Sequence, residues 1–302
     1  MRREDEVDAQ PPAGDNVTAE RAQASEARRH IWLCADDYGI APGVNQAIRD
    51  LILRGRLNAT SVMVVTPSFS RSEALALAML NSGTARTAIG LHLTLTAPFR
   101  PLSAGFRPVR DGAFPTLEQL LRRTVLRRLS RSVLAAETEA QLAAFSAAFG
   151  RPPDFLDGHQ HVHLFPQVRE AALAAVKRRA PDAWVRQCGS VLALRERLHD
   201  RKGLVLDYLS RRFRARARAF DIAVNPAFAG TYDFTADADF AKLFPGFLAR
   251  LPDGGVIMCH PGHVDDELVR LDPLTTLRER EYAYLAGDGL PAALAAEGVA
   301  LI

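Results

Sequence analysis

His30-Ile31-Trp32-Leu33-Cys34-Ala35-Asp36-Asp37-Tyr38-Gly39 is a short apolar run that ends on two adjacent carboxylates. Residues 31–35 have the length and composition of a buried strand. Pro42 and Gly43 then open a helical pattern through Val44, Ala47, Ile48, Leu51 and Ile52, which stops at Gly55. Residues 60–65 are rich in β-branched side chains and stop at Pro67. Residues 72–80 follow a helical pattern that ends near Gly83, and residues 87–95 return to strand. Strand and helix alternating in this way predict parallel strands with helices outside them.

The pattern loosens beyond residue 97. Residues 98–115 are rich in Pro, Gly and Arg and predict a loop over the site. Residues 117–149 are helical, with a break around 129–131. Residues 154–157 form a strand that leads into a histidine cluster, and Pro166 opens a helix to residue 179. Short strands are expected at 183–186, 221–224 and 256–259, with helices at 237–250 and 274–285. Residues 298–302 would close the sheet. This makes seven or eight strands in βα order. In such folds reactive residues lie at the C-terminal ends of strands. Asp36, Asp37, His92, His159 and His260 each follow an apolar run in that way.

A chain of 302 residues with 48% hydrophobic content suits a soluble globular enzyme. One α/β domain with a tail fits as well as two domains. The net charge of +3 does not argue for nucleic acid. Cys34, Cys188 and Cys259 form no C-x-x-C pair and sit in or near apolar runs, as reduced thiols of a cytoplasmic protein do. No apolar stretch reaches the ~20 residues of a membrane span. Residues 1–29 are polar and lack an apolar segment, which predicts a disordered extension rather than a secretory signal. The run Arg211-Arg212-Phe213-Arg214-Ala215-Arg216-Ala217-Arg218 is flanked by Asp207 and Asp221, which favours a solvated helix face over a nucleic-acid or membrane patch.

The histidines and aspartates carry the chemistry. On an extended chain Asp36 and Asp37 point in opposite directions. If the turn swings both to one side, one suits a metal and the other a reacting water; otherwise they are an Asp-rich turn. His92 alone would be a core histidine. His159, His161 and His163 alternate, so on a strand they share one face. Three imidazoles on one face after Asp157 point to a metal or a proton-transfer site, with one or two as ligands and the others orienting them or touching substrate. His260 precedes Pro261-Gly262, whose turn would expose it as a general acid.

Taken in order, Ala35-Asp36-Asp37-Tyr38-Gly39, Val44-Asn45, Thr60-Ser61, Gly90-Leu91-His92-Leu93-Thr94-Leu95-Thr96, Asp157-Gly158-His159-Gln160-His161-Val162-His163, Pro166 and His260-Pro261-Gly262 resemble the YdjC-like carbohydrate deacetylases. That group includes chitooligosaccharide deacetylase and the hopanoid-associated HpnK proteins. The matches span residues 31 to about 285. The resemblance implies a single-domain, deformed TIM-like (β/α) barrel over residues 30–302. It implies one divalent metal, Mg²⁺ or Zn²⁺ foremost, held by Asp37, His92 and His159. It further implies Asp36 as general base, His260 as general acid and Arg186 as a site arginine; with Arg186, the remaining cluster histidines His161 and His163 are the candidate substrate-binding residues. Gln160 departs from the family's frequent Ser-His-His at residues 158–160, so any role of the middle histidine is absent here.

The implied reaction hydrolyses the acetamide of an N-acetylated saccharide or glycoconjugate to a free amino sugar and acetate. Residues 98–115 and 191–220 are the expected determinants of substrate choice. A homodimer is compatible with the chain. Two alternatives stay open: a non-haem Fe(II) oxygenase built on the same Asp/His₂ set, and a sugar-binding relative without activity.

Overall fold

The computed structural model describes residues 29–82, 86–190 and 201–302. The expected N-terminal extension lies outside the described residues, except for Arg29. That residue opens strand β1 (Arg29–Tyr38). Its guanidinium donates to the carbonyls of Leu248 and Leu251 at 3.0 and 2.7 Å, so the sheet starts one residue before the expected boundary. Residues 191–200, part of the expected specificity region, also lie outside the described residues.

Behind β1 come α1 (Pro42–Leu53), β2 (Ala59–Val62), α2 (Arg71–Met79) and β3 (Ala88–Leu93). A long loop leads to α3 (Leu117–Val125), α4 (Arg131–Phe149), β4 (Phe155–Gly158), α5 (Val168–Arg179) and β5 (Trp184–Val185). The rest holds α6 (Arg201–Ala219), β6 (Phe228–Ala229), α7 (Phe240–Ala249), β7 (Val256–Cys259), α8 (Asp266–Leu271), α9 (Thr276–Ala286), α10 (Gly289–Ala296) and β8 (Val299–Leu301).

Local signals account for most of these elements. Pro42 lies in the first turn of α1, and Val44, Ala47, Ile48, Leu51 and Ile52 form its buried stripe. The Ser70 hydroxyl caps α2, Thr116 and Gln119 form a capping box on α3, and α4 stops at Gly150 in the left-handed region, φ 69°. Leu33 to Tyr38 are all buried, as expected of a central parallel strand covered on both faces.

All pairings between the strands are parallel, in the order β5-β4-β3-β2-β1-β7-β6. Bridges from Val185 to Val224 and from Ser190 to Phe228 join the β5 side to the β6 side and bend the sheet into a deformed TIM-like barrel. β8 stands off this path and pairs with residues 29–31. The expected last strand therefore extends the start of β1 and does not close the sheet. The strand expected at 221–224 also shifts. Asp221 is left-handed (φ 54°), Pro226 has no N–H for a ladder, and β6 forms only at Phe228–Ala229.

One contiguous apolar core links the strands to the helices. On α6, Phe213 and Ala217 are buried while Arg211, Arg212, Arg214, Arg216 and Arg218 are exposed, the layout of a solvated face. No helix among the described residues is long and apolar enough to cross a membrane.

Candidate active site

Asp36 and Asp37 close β1, each 1% exposed. Asp37 takes φ 69°, and the register against β2 slips between Ala35 and Tyr38. A left-handed aspartate inside a strand persists only where its surroundings hold it. The kink breaks the alternation of the strand and turns both carboxylates toward His92. Asp37 Oδ1 lies 3.2 Å from His92 Nε2. Asp36 Oδ1 accepts from the Ser61 hydroxyl at 3.2 Å, and that hydroxyl lies 2.9 Å from His92 Nδ1.

Asp37 Oδ1 is also 3.0 Å from His159 Nδ1. Asp37, His92 and His159 thus offer three buried donor atoms that all lie within 4.8 Å of one another. His92 Nδ1 is 2.6 Å from Asp157 Oδ1. A ring proton donated there leaves the Nε2 lone pair facing Asp37, the orientation that a metal-ligating histidine needs. Charge points the same way. Among the described residues, Asp36, Asp37, Asp157 and Asp272 are linked to two guanidiniums, Arg186 and Arg278. This leaves two negative charges in excess with neutral imidazoles, and one with His92 protonated, which a largely buried site tolerates poorly without a counter-ion. Burial alone would lower the His92 imidazole, but Asp157 and Asp36 override it and push it up to about 10. The donor set and the charge both fit one divalent cation.

Each aspartate has its own arginine. Arg186, wholly buried just beyond β5, donates from Nη1 and Nη2 to the two oxygens of Asp36 at 2.7 and 2.6 Å. Its Nη2 also lies 2.9 Å from Asp157 Oδ2. Burial alone would raise the Asp36 carboxyl, yet Arg186 holds it well below the ordinary carboxylate range. Arg186, expected to bind substrate, has its guanidinium paired with the carboxylates of Asp36 and Asp157. Arg278, wholly buried on α9, donates from Nη2 to Asp37 Oδ2 at 2.6 Å and to Asp272 Oδ2 at 2.9 Å. Against burial, Arg278 and His159 hold the Asp37 carboxyl well below its ordinary value.

The shared strand face expected for His159, His161 and His163 does not form. β4 ends at Gly158, and residues 159–164 make a 3₁₀ turn with Gln160 and His161 both left-handed (φ 52° and 58°). The three rings diverge. His159 reaches Asp37, and the Phe99 ring packs edge-on against it at 5.8 Å. His161 lies half-buried against Phe228, with Nδ1 3.5 Å from Cys188 Sγ. His163 is buried, its Nε2 donating to the Arg186 carbonyl at 2.7 Å. Burial pushes His161 down to about 3 and His163 well below the ordinary imidazole value, which leaves both neutral at neutral pH.

His260 follows β7, half-buried, with the Phe234 ring edge-on at 5.6 Å. Its backbone N–H donates to Glu281 Oε2, and the Tyr232 hydroxyl donates to Glu281 Oε1 at 2.6 Å. Burial pushes the Glu281 carboxyl up. Asp157, Arg278, Glu281 and Tyr232 had no sequence-based role. Asp157 had a signal, a carboxylate two residues before His159 at a strand end. Arg278 and Glu281 lie in Arg278-Glu279-Arg280-Glu281, which has the composition of an exposed helix.

A family model described as YdjC-like protein matches residues 30–296. The chain belongs to the YdjC-like family. Among curated relatives, the chitooligosaccharide deacetylase of Yersinia pestis (strain Pestoides F) is 28% identical over 269 residues, covering 88% of this chain and 94% of its own. The chitooligosaccharide deacetylase of Yersinia pseudotuberculosis serotype O:3 (strain YPIII) matches to the same extent. A solved structure from Enterococcus faecalis V583, provisionally named a cellobiose-phosphate cleavage protein, has a TM-score of 0.66 at 22% identity and covers 91% of this chain and 97% of its own. The lactam utilization protein of Thermus thermophilus reaches a TM-score of 0.50 at 17% identity, over 90% of this chain and 98% of its own. These two likenesses concern the fold alone.

Proposed function

We propose that this YdjC-like protein is a metal-dependent N-deacetylase that hydrolyses the acetamide of an N-acetylated saccharide or glycoconjugate. The observation that supports the reading is that two adjacent aspartates have separate sets of partners. Asp37 joins His92 and His159 in one donor set, while Asp36 is held outside it by Arg186. The deacetylase relatives support the substrate class.

Asp37, His92 and His159 would hold the cation. Bound there, Mg²⁺ or Zn²⁺ would supply Lewis acidity for the acetamide carbonyl and lower the pKa of water. Asp36 is the general base. Its Oδ1 already accepts from Arg186, Ser61 and the Cys34 thiol, whereas Oδ2 accepts only from Arg186 among the described residues. The proton of the attacking water therefore goes to Oδ2. Arg186 keeps Asp36 ionised across the neutral range and fixes its plane. His260 is the general acid. Its Nδ1 is buried and has no partner among the described residues, so Nε2 is the ring atom that donates to the leaving amine. The three buried free cysteines suit a cytoplasmic setting.

The test is mass-spectrometric analysis of purified protein incubated with a panel of N-acetylated sugars and several divalent metals. Loss of one acetyl group, with matching acetate release, is the expected result. Intact substrates across the panel with every metal, or turnover that requires O₂ and a keto acid, would sink the proposal.

A further inference from the structure

We infer that Arg278 is the positioning residue that reserves one oxygen of Asp37 for the cation and locks the acid-bearing loop to the same carboxylate. The inference rests on the metal reading above.

The guanidinium has three anchors on two sides of the site. Nη2 bridges Asp37 Oδ2 and Asp272 Oδ2 at 2.6 and 2.9 Å, and Nε donates to the Leu274 carbonyl at 2.9 Å. With Oδ2 taken, Asp37 presents Oδ1 to His92 and His159. The backbone of Arg278 acts as well. Its carbonyl accepts from the Gly262 N–H at 3.1 Å, two residues after His260. One turn further along α9, Glu281 accepts from the His260 N–H. A Cβ added at Gly262 would come 3.4 Å from Arg278 Cδ, so the loop packs directly on this side chain. A single helix therefore sets the metal carboxylate and the proton donor in one frame.

The sign of the effect discriminates. A guanidinium beside a cation site repels the cation, so charge alone predicts tighter binding once Arg278 is removed. Positioning predicts the reverse. Without Arg278, the buried Asp37 and the half-buried Asp272 lose the guanidinium that bridges them, and Asp37 Oδ2 is left without the anchor that fixes the plane of its carboxylate. Removing groups that orient metal ligands typically weakens metal binding by about 10–100-fold.

The experiment titrates Zn²⁺ or Mn²⁺ into metal-stripped full-length protein. It follows heat and the metal-induced rise in melting temperature for wild type, Arg278→Met, Arg278→Lys and Asp272→Asn. Expected are a loss of about 10–100-fold in affinity for Arg278→Met, partial rescue in Arg278→Lys, and a smaller loss in Asp272→Asn. If Arg278→Met fails to fold, weakened binding in the two milder variants supports the proposal, and wild-type affinity in both overturns it. Binding by Arg278→Met as tight as wild type, or tighter, overturns it while leaving the metal reading intact. A wild type that binds neither metal overturns both.

Discussion

Two neighbouring aspartates meet different partners because the backbone kinks at Asp37. The left-handed Asp37 is what lets Asp36 meet Arg186 while Asp37 meets His92 and His159. Asp36→Asn should keep its metal and lose about 10²-fold or more in kcat, the usual range for removing general acid–base catalysis. Asp37→Asn should lose the metal itself. Elemental analysis beside steady-state kinetics checks the pair, and the opposite pattern would exchange the two assignments. His260→Ala should also keep its metal, and should lower kcat more than it raises KM, because its proton is needed only in the chemical step. A rise in KM at unchanged kcat would make His260 a binding residue.

At the scale of elements, packing and burial yield two further expectations. Gly90 on β3 lies under the Phe155 ring, where a Cβ would come within 2.4 Å, and Phe155 stacks on Trp184 at 4.5 Å. Gly90→Ala should cost about 1–3 kcal/mol, the usual cost of overpacking a core, visible as a lower denaturation midpoint at unchanged slope; wild-type stability would show that the ring moves freely. On α9, burial raises the Glu281 carboxyl, so the folded state favours its protonated form more than the unfolded chain does. The stability from this group is full below the ordinary glutamate range and is lost as pH rises through its raised value. Glu281→Gln removes that dependence. The melting temperature of wild type should fall relative to the variant between acid and neutral pH, and parallel curves would refute the shift.

The elements also show what a sequence can carry. The buried stripe of α1, the break between α3 and α4, and the strand ends bearing Asp36, His92, His159 and His260 are local patterns, and each stands where its spacing predicts. The histidine cluster misled because alternation implies a shared face only on an extended chain, and two left-handed residues end the extension at Gly158. Short β6 had no run of its own, and α8 and α10 were too short to be legible. Arg278 and Glu281 were hidden for a different reason. They are charged residues in a charged helix, and only the folded chain brings them against β1 and β7.

Over the whole molecule, the parallel barrel gathers carboxylates, imidazoles and guanidiniums from six segments into one buried cluster with more negative than positive charge. In the proposed deacetylase a cation sits there and is required for amide hydrolysis. Chelation followed by metal restoration tests both at once, with acetate release from an N-acetylated oligosaccharide that the panel shows to be turned over. The predicted result is no acetate from the metal-stripped protein and full recovery when one equivalent of the active metal is returned. Undiminished acetate release from protein shown by elemental analysis to be free of metal would contradict the central claim.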